Sequence, residues 1–126
     1  MKREPPGKPL VAVVDDDESV RDAVYGLLES VGRNARSFSS SQEFLASGLP
    51  GETSCLITDF QMPKMNGLEL QAKLMAEGFR IPVIFITAYG EPRMRAQAMQ
   101  AGALAFLDKP FDDDVLLEAV RKALKE

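Results

Sequence analysis

Five polar side chains close four apolar runs in this chain of 126 residues. Asp15 and Asp16 follow LVAVV, Asp59 follows the run from Cys55 to Thr58, Thr87 follows the run from Ile81 to Ile86, and Lys109 stands just past the run from Ala103 to Leu107. Three carboxylates gathered at one place repel one another, and the repulsion raises their pKa values unless something offsets it. A bound cation is the usual remedy. An all-oxygen donor set selects a hard ion, which makes magnesium the natural fit and manganese the alternative. Asp16 and Asp59 are the expected direct ligands, with Asp15 acting through water or orienting its neighbour. The backbone carbonyl of Gln61, two residues past Asp59, is the expected third protein ligand.

A carboxylate beside such a cation can attack phosphorus and form an aspartyl-phosphate. Asp59 is the best nucleophile, because it stands alone at the end of a middle strand. Lys109 would place a compact positive charge on one phosphoryl oxygen, and the Thr87 hydroxyl would donate to another. The set suits phosphoryl transfer by positioning and charge neutralisation. Taken singly, each residue has a plainer explanation. An Asp-Asp-Asp run before a helix is most often a cap, Thr87 a strand-end hydroxyl, and Lys109 a solvated lysine. Their joint occurrence at successive strand ends is what points to a site.

The elements that must position these residues follow from the apolar pattern. LVAVV lacks polar alternation, as a strand buried on both faces does. A helix from about Ser19 carries the stripe Val20, Ala23, Val24, Leu27, Leu28 and Val31, with Asp17 or Ser19 as its cap and Gly32 closing it. A weak strand from Asn34 to Phe38, a short helix from about Ser41 to Ala46, and a strand from Cys55 to Thr58 come next. A helix from about Leu68 to Ala76, a strand from Ile81 to Ile86, and a helix from Pro92 to about Ala101 follow. The last pair is a strand from Ala103 to Leu107 and a helix capped by Asp112, Asp113 or Asp114, with Val115, Leu116, Ala119, Val120 and Ala123 inward. Strand–helix alternation repeated five times predicts an α/β fold, a doubly wound parallel sheet with helices on both faces. Ligands of such sheets bind outside the carboxyl ends of the strands, where all five polar residues lie.

Composition narrows the chemistry. The chain has no histidine, one cysteine and a net charge of −4. Imidazole catalysis, His-type zinc sites and internal disulfides are excluded. The acidic balance argues against direct nucleic-acid binding, and no apolar run approaches the ~20 residues of a membrane span. The charged, Pro-rich start is no signal peptide, and the expectation is a soluble cytoplasmic protein with an extended tail over residues 1–8 and one domain over residues 9–126. No GxxxxGK[ST] or GxGxxG follows any strand, so a nucleotide-binding module lacks its loop. A haloacid-dehalogenase-type phosphatase needs a second acid two residues past the nucleophile, where this chain has Gln61.

Four segments, VVDDDESVR, LITDFQMPKMNGLEL, PVIFITAYG and AGALAFLDKPF, resemble the receiver domain of bacterial two-component response regulators. The resemblance runs from about Pro9 to Lys125 and is nearest to receivers of the nitrogen-fixation-regulator type. It implies a flavodoxin-like (βα)5 fold with strand order 2-1-3-4-5. It also implies that Asp59 is the phosphoacceptor, that Asp15 and Asp16 are the acidic magnesium pair, and that Lys109 contacts the phosphate. Thr87 and Phe106 would be the switch residues, with Phe106 moving into space that Thr87 vacates. Gln61 and Tyr89 would set the phosphoryl lifetime, and Lys109–Pro110 would be a cis bond. The implied partners are a sensor histidine kinase or histidine phosphotransfer protein, and a downstream protein target or an output domain of the same chain. A phosphorylation-dependent homodimer belongs to the same set. The chain's length leaves two readings open, a stand-alone regulator or the excised receiver of a longer DNA-binding regulator. A scaffold that takes no phosphate is a further alternative. The donor histidine must in any case come from another protein.

Overall fold

The computed structural model describes residues 9–126; the tail expected over residues 1–8 lies outside the described residues. The elements run β1 (Leu10–Val14), α1 (Glu18–Ser30), β2 (Asn34–Phe38), α2 (Ser41–Ala46), β3 (Thr53–Asp59), α3 (Gly67–Ala76), β4 (Val83–Thr87), α4 (Pro92–Gln100), β5 (Ala105–Asp108) and α5 (Asp113–Ala123), with a 3-10 turn at Pro50–Glu52 before β3. All strand pairs are parallel, and the sheet order is β2-β1-β3-β4-β5. This is the doubly wound sheet and the strand order that the sequence led us to expect.

β1 and β4 are buried along their whole length, and β3 nearly so. Side chains alternate between faces along a strand, so each central strand feeds two cores. Val11, Val13, Ile57 and Ile84 pack with Val24 and Leu28 of α1 and Leu116 and Val120 of α5. Ala12, Val14, Leu56 and Phe85 pack on the other face with Phe44 of α2, Leu70 and Leu74 of α3, and Ala98 of α4. Apolar residues on both faces hide the two-residue period, which is why these strands read as uninterrupted runs.

Several boundaries differ from the sequence reading for identifiable reasons. β3 starts earlier, at Thr53, whose hydroxyl donates to the Leu49 carbonyl (2.9 Å) and ties the strand to the preceding turn. β4 starts at Val83 rather than Ile81, because Pro82 has no N–H and joins the ladder only as an acceptor, from Leu56 N (2.9 Å). β5 starts at Ala105 rather than Ala103, because the Ala103 N–H closes the end of α4 on Ala98 O (3.0 Å). Val31 falls off the inner stripe of α1: the helix ends at Ser30, the phase is lost, and Val31 is 50% exposed. Ala23 is also exposed. In α5 the buried set is Leu116, Ala119, Val120 and Ala123, and Val115 at its edge is 49% exposed.

The sheet's ladder continues past the strands and fixes the site residues. Asp15 N–H donates to Phe38 O (3.1 Å), Phe60 N–H to Ile86 O (2.9 Å) and Lys109 N–H to Thr87 O (2.8 Å). Gly67 opens α3 against the end of β3. A Cβ there would run into the Asp59 carbonyl oxygen and lie 3.0 Å from Phe85 Cε1. Gly67→Ala should therefore lower unfolding stability by about 1–3 kcal/mol. Gly26→Ala, in mid-α1 with open space around it, should raise stability by about 0.5–1 kcal/mol. Urea unfolding of both variants checks the contrast, and equal effects would contradict it.

Candidate functional site

The three consecutive aspartates after β1 part company. Asp17 is the N-cap of α1, accepting from Ser19 N (3.0 Å), Ser19 Oγ (2.8 Å) and Val20 N (3.4 Å). Asp16 is exposed. Asp15 is fully buried; its Oδ1 accepts from Asp17 N (2.9 Å), and its carbonyl accepts from the Arg21 guanidinium (2.8 Å). A carboxylate oxygen from each of Asp15, Asp16 and Asp59 lies within 4.8 Å of the others.

Asp59 ends β3 and is buried. Its Oδ1 accepts from Gln61 N (3.0 Å), and its Oδ2 accepts from Lys109 Nζ (3.0 Å). Lys109 Nζ also lies 3.1 Å from Asp15 Oδ2, so one ammonium stands between two carboxylates. Burial pulls the Lys109 pKa down, but the Asp59 hydrogen bond and the charges of both aspartates outweigh it, and the net is a rise above the usual lysine value. Burial pushes the Asp15 carboxyl above the ordinary aspartate range; the Asp17 N–H opposes this, the Asp59 charge adds to it, and Lys109 offsets part. A raised native pKa means the folded chain binds more protons than the unfolded chain. The burial of Asp15 therefore costs stability that grows as pH rises through its titration.

Thr87 is fully buried at the end of β4, and its hydroxyl faces Gln61 Oε1 at 3.4 Å. Gln61 thus meets the site through its backbone N–H and its side-chain oxygen. The Lys109–Pro110 peptide bond is cis. Tyr89 is 80% exposed and lines one cleft together with Lys109, Pro110 and Phe111. Phe106 is already inside at 3% exposure, with its ring 5.7 Å from that of Phe60.

Two neighbours of Phe106 escaped the sequence reading. The Arg95 guanidinium lies 5.0 Å above the Phe106 ring, a cation–π contact between α4 and β5. Gly90 leaves the room: a Cβ there would sit 2.9 Å from Phe106 Cε1 and 3.1 Å from Thr87 Cγ2. Arg95 and Gly90 lie 11 and 16 residues before Phe106 and meet it only through tertiary packing, which nothing local signals.

The donor set fits a hard divalent cation. All the gathered ligands are carboxylate oxygens, and Asp15 Oδ2 is buried with a charge partner but no hydrogen bond. The sole thiol, Cys55, is buried in the core, with its pKa pushed up to about 12. Without a divalent cation, Asp15→Asn should unfold at higher urea than the unsubstituted chain, because a buried negative charge is gone. Cation at 100 times its Kd should stabilise the unsubstituted chain by about 2.7 kcal/mol and Asp15→Asn by clearly less. Equal gains would contradict a site built on Asp15.

Comparison with known proteins gives a consistent picture. The family described as "Response regulator receiver domain" matches residues 11–121. Transcriptional regulatory protein TdiR of Thauera aromatica is 43% identical over 114 residues, covering 90% of this chain and 50% of that protein. Transcriptional regulatory protein FixJ of Azorhizobium caulinodans is 42% identical over 114 residues, covering 90% of this chain and 54% of its own length. The chain thus spans about half the length of these curated relatives. The crystal structure titled FixJ-N superposes with a TM-score of 0.85 at 36% identity, covering 96% of this chain and 97% of that one. A response regulator receiver protein from Burkholderia phymatum superposes at 0.81 with 44% identity, covering 94% and 96%.

Proposed function

The chain belongs to the response regulator receiver domain family, close to the FixJ-like members, and from that premise we propose that Asp59 accepts a phosphoryl group from a phosphohistidine of a partner protein. The observation that carries this reading is the Lys109 ammonium held 3.0 Å from Asp59 Oδ2 and 3.1 Å from Asp15 Oδ2 at the same sheet edge as Thr87. Asp59 attacks phosphorus, the bond from phosphorus to the donor imidazole breaks, and an acyl phosphate remains. Lys109 passes from the Asp59 oxygen to a phosphoryl oxygen. The Thr87 hydroxyl leaves its long contact with Gln61 and donates to another. A magnesium ion held by Asp15, Asp16, Asp59 and the Gln61 carbonyl would supply the remaining neutralisation of phosphoryl charge. Gln61 and Tyr89 flank the group and set its lifetime. Water attack on the acyl phosphate resets the domain, so the only reaction it catalyses is on itself.

Access favours a protein donor. A cleft of about 520 Å³ opens beside Lys109, lined by Val20, Ala23, Tyr89, Pro110 and Phe111. Its mainly apolar walls, with Lys109, Ser19 and Asp113 as the polar members, suit a helix that presents a phosphohistidine, from a histidine kinase or a phosphotransfer protein. Movement of Thr87 toward the phosphoryl group is transmitted through its neighbour Phe106 to the α4–β5–α5 face, which carries Arg93, Arg95, Gln97, Arg121 and Lys122. That face addresses a downstream protein, an output domain or a second copy. The matched relatives are about twice this chain's length, which supports an output domain in the full protein. The domain over residues 9–126 works in the cytoplasm on this reading. Among the described residues no helix is long and apolar enough to cross a membrane.

Incubation with acetyl phosphate or beryllium fluoride should give a one-to-one adduct that requires magnesium and is absent from Asp59→Asn. Mass spectrometry and fluoride NMR read it. An adduct without magnesium, or one that survives the substitution, overturns the mechanism. Tyr89→Ala should shorten the half-life of the phosphorylated chain by uncovering the acyl phosphate once the Thr87 loop closes. Equal half-lives would remove Tyr89 from the site.

A further inference from the structure

Of the five helices, α4 has the fewest buried residues. Only Ala98 is buried, and no side chain caps the helix start, where Pro92 stands. A helix with so little apolar grip depends on its few other contacts. Arg95 supplies two of them, both to β5: its guanidinium lies 5.0 Å above the Phe106 ring and 4.0 Å from Asp108 Oδ2. Phe106 and Asp108 are two residues apart on the strand and so share one face. The ion pair is long, and both partners are more than half exposed, so it contributes little. The contact with the ring is the stronger of the two, because the ring is out of water.

Arg95 is half exposed and the ring beneath it is only 3% exposed, so the guanidinium stands between Phe106 and solvent. The inner side of the ring is closely packed. Phe60 meets it edge-on at 5.7 Å, and a Cβ on Gly90 would lie 2.9 Å from Phe106 Cε1 and 3.1 Å from Thr87 Cγ2. The ring edge and the Thr87 methyl group therefore border the same small space. Phe106 occupies this inner seat while the Thr87 hydroxyl still faces Gln61 Oε1 at 3.4 Å. The ring has not waited for Thr87 to move, and something other than a phosphoryl group holds it.

We propose that Arg95 is that holder. It is a positioning residue for phosphoryl acceptance: its guanidinium keeps Phe106 inside in the resting chain and ties the first half of α4 to β5. The inner seat is then filled in advance, and Thr87 can turn to the phosphoryl group without drawing the ring in. This rests on the reading of Asp59 as phosphoacceptor.

Two measurements on the full chain test it, in the unsubstituted form, in Arg95→Met, which keeps the stem and loses the charge, and in Arg95→Lys, which keeps a cation. NMR of ¹³C-labelled phenylalanine rings reads the inward population of Phe106 from its contacts with the Phe60 ring. It should fall by about twofold or more in Arg95→Met and be largely restored in Arg95→Lys. Titration with beryllium fluoride in magnesium reads acceptance. Its apparent Kd should rise in Arg95→Met by the same factor as the inward population falls, because only the competent fraction binds. An unchanged ring population in Arg95→Met, or a fallen population with unchanged Kd, overturns the inference about Arg95 alone. If the unsubstituted chain takes up no beryllium fluoride, the Asp59 reading fails and Arg95's part in it fails too.

Discussion

One ammonium placed among three carboxylates is the constraint on which the rest depends. Lys109 Nζ touches Asp15 and Asp59 at 3.1 and 3.0 Å, and the third carboxylate, Asp16, stands within 4.8 Å of both. With all three ionised, the cluster is left two charges short of neutrality. That deficit has the size of a divalent cation, and an arriving phosphoryl group presents anionic oxygens that the same positive charges can serve. Burial of Asp15 sharpens the imbalance, because a charge without water raises its own pKa. The site is thus under-compensated by construction.

Only a rigid frame can hold like charges this close. The parallel sheet does so by ending its central strands at one edge and extending its ladder one residue further, through Asp15 to Phe38, Phe60 to Ile86 and Lys109 to Thr87. Gly67 lets α3 start against the Asp59 carbonyl, and Asp17 ties the start of α1 to the same edge. Backbone position is therefore set by two buried cores, and side-chain charge is left free to respond to a ligand. Phe106 packs against Phe60 on one side and under the Arg95 guanidinium of α4 on the other.

Much of this is legible in the chain itself, because apolar runs ending in charged or hydroxyl residues encode both strand and site. The order of the strands and the pairing of Asp15, Asp59 and Lys109 accord with that pattern. The division of labour among Asp15, Asp16 and Asp17 is less legible. It depends on how the backbone leaves β1, and identical side chains carry no sign of it. β4 and β5 begin later than their apolar runs suggest, since the apolar residues Ile81 and Ala103 precede the first residue of each strand. Tyr89 and Phe106 show the same limit at the site. Their composition says aromatic, but only tertiary packing leaves one in solvent and encloses the other.

The central claim is that Asp59, and not one of the neighbouring acids, is the group that Lys109 holds ready to react. Borohydride reduction of the chain after acetyl phosphate treatment in magnesium, followed by peptide mapping, tests it most directly. The account predicts conversion of an acyl phosphate to homoserine at position 59 and at no other acid. Reduction mapping to Asp15 or Asp16 would contradict it.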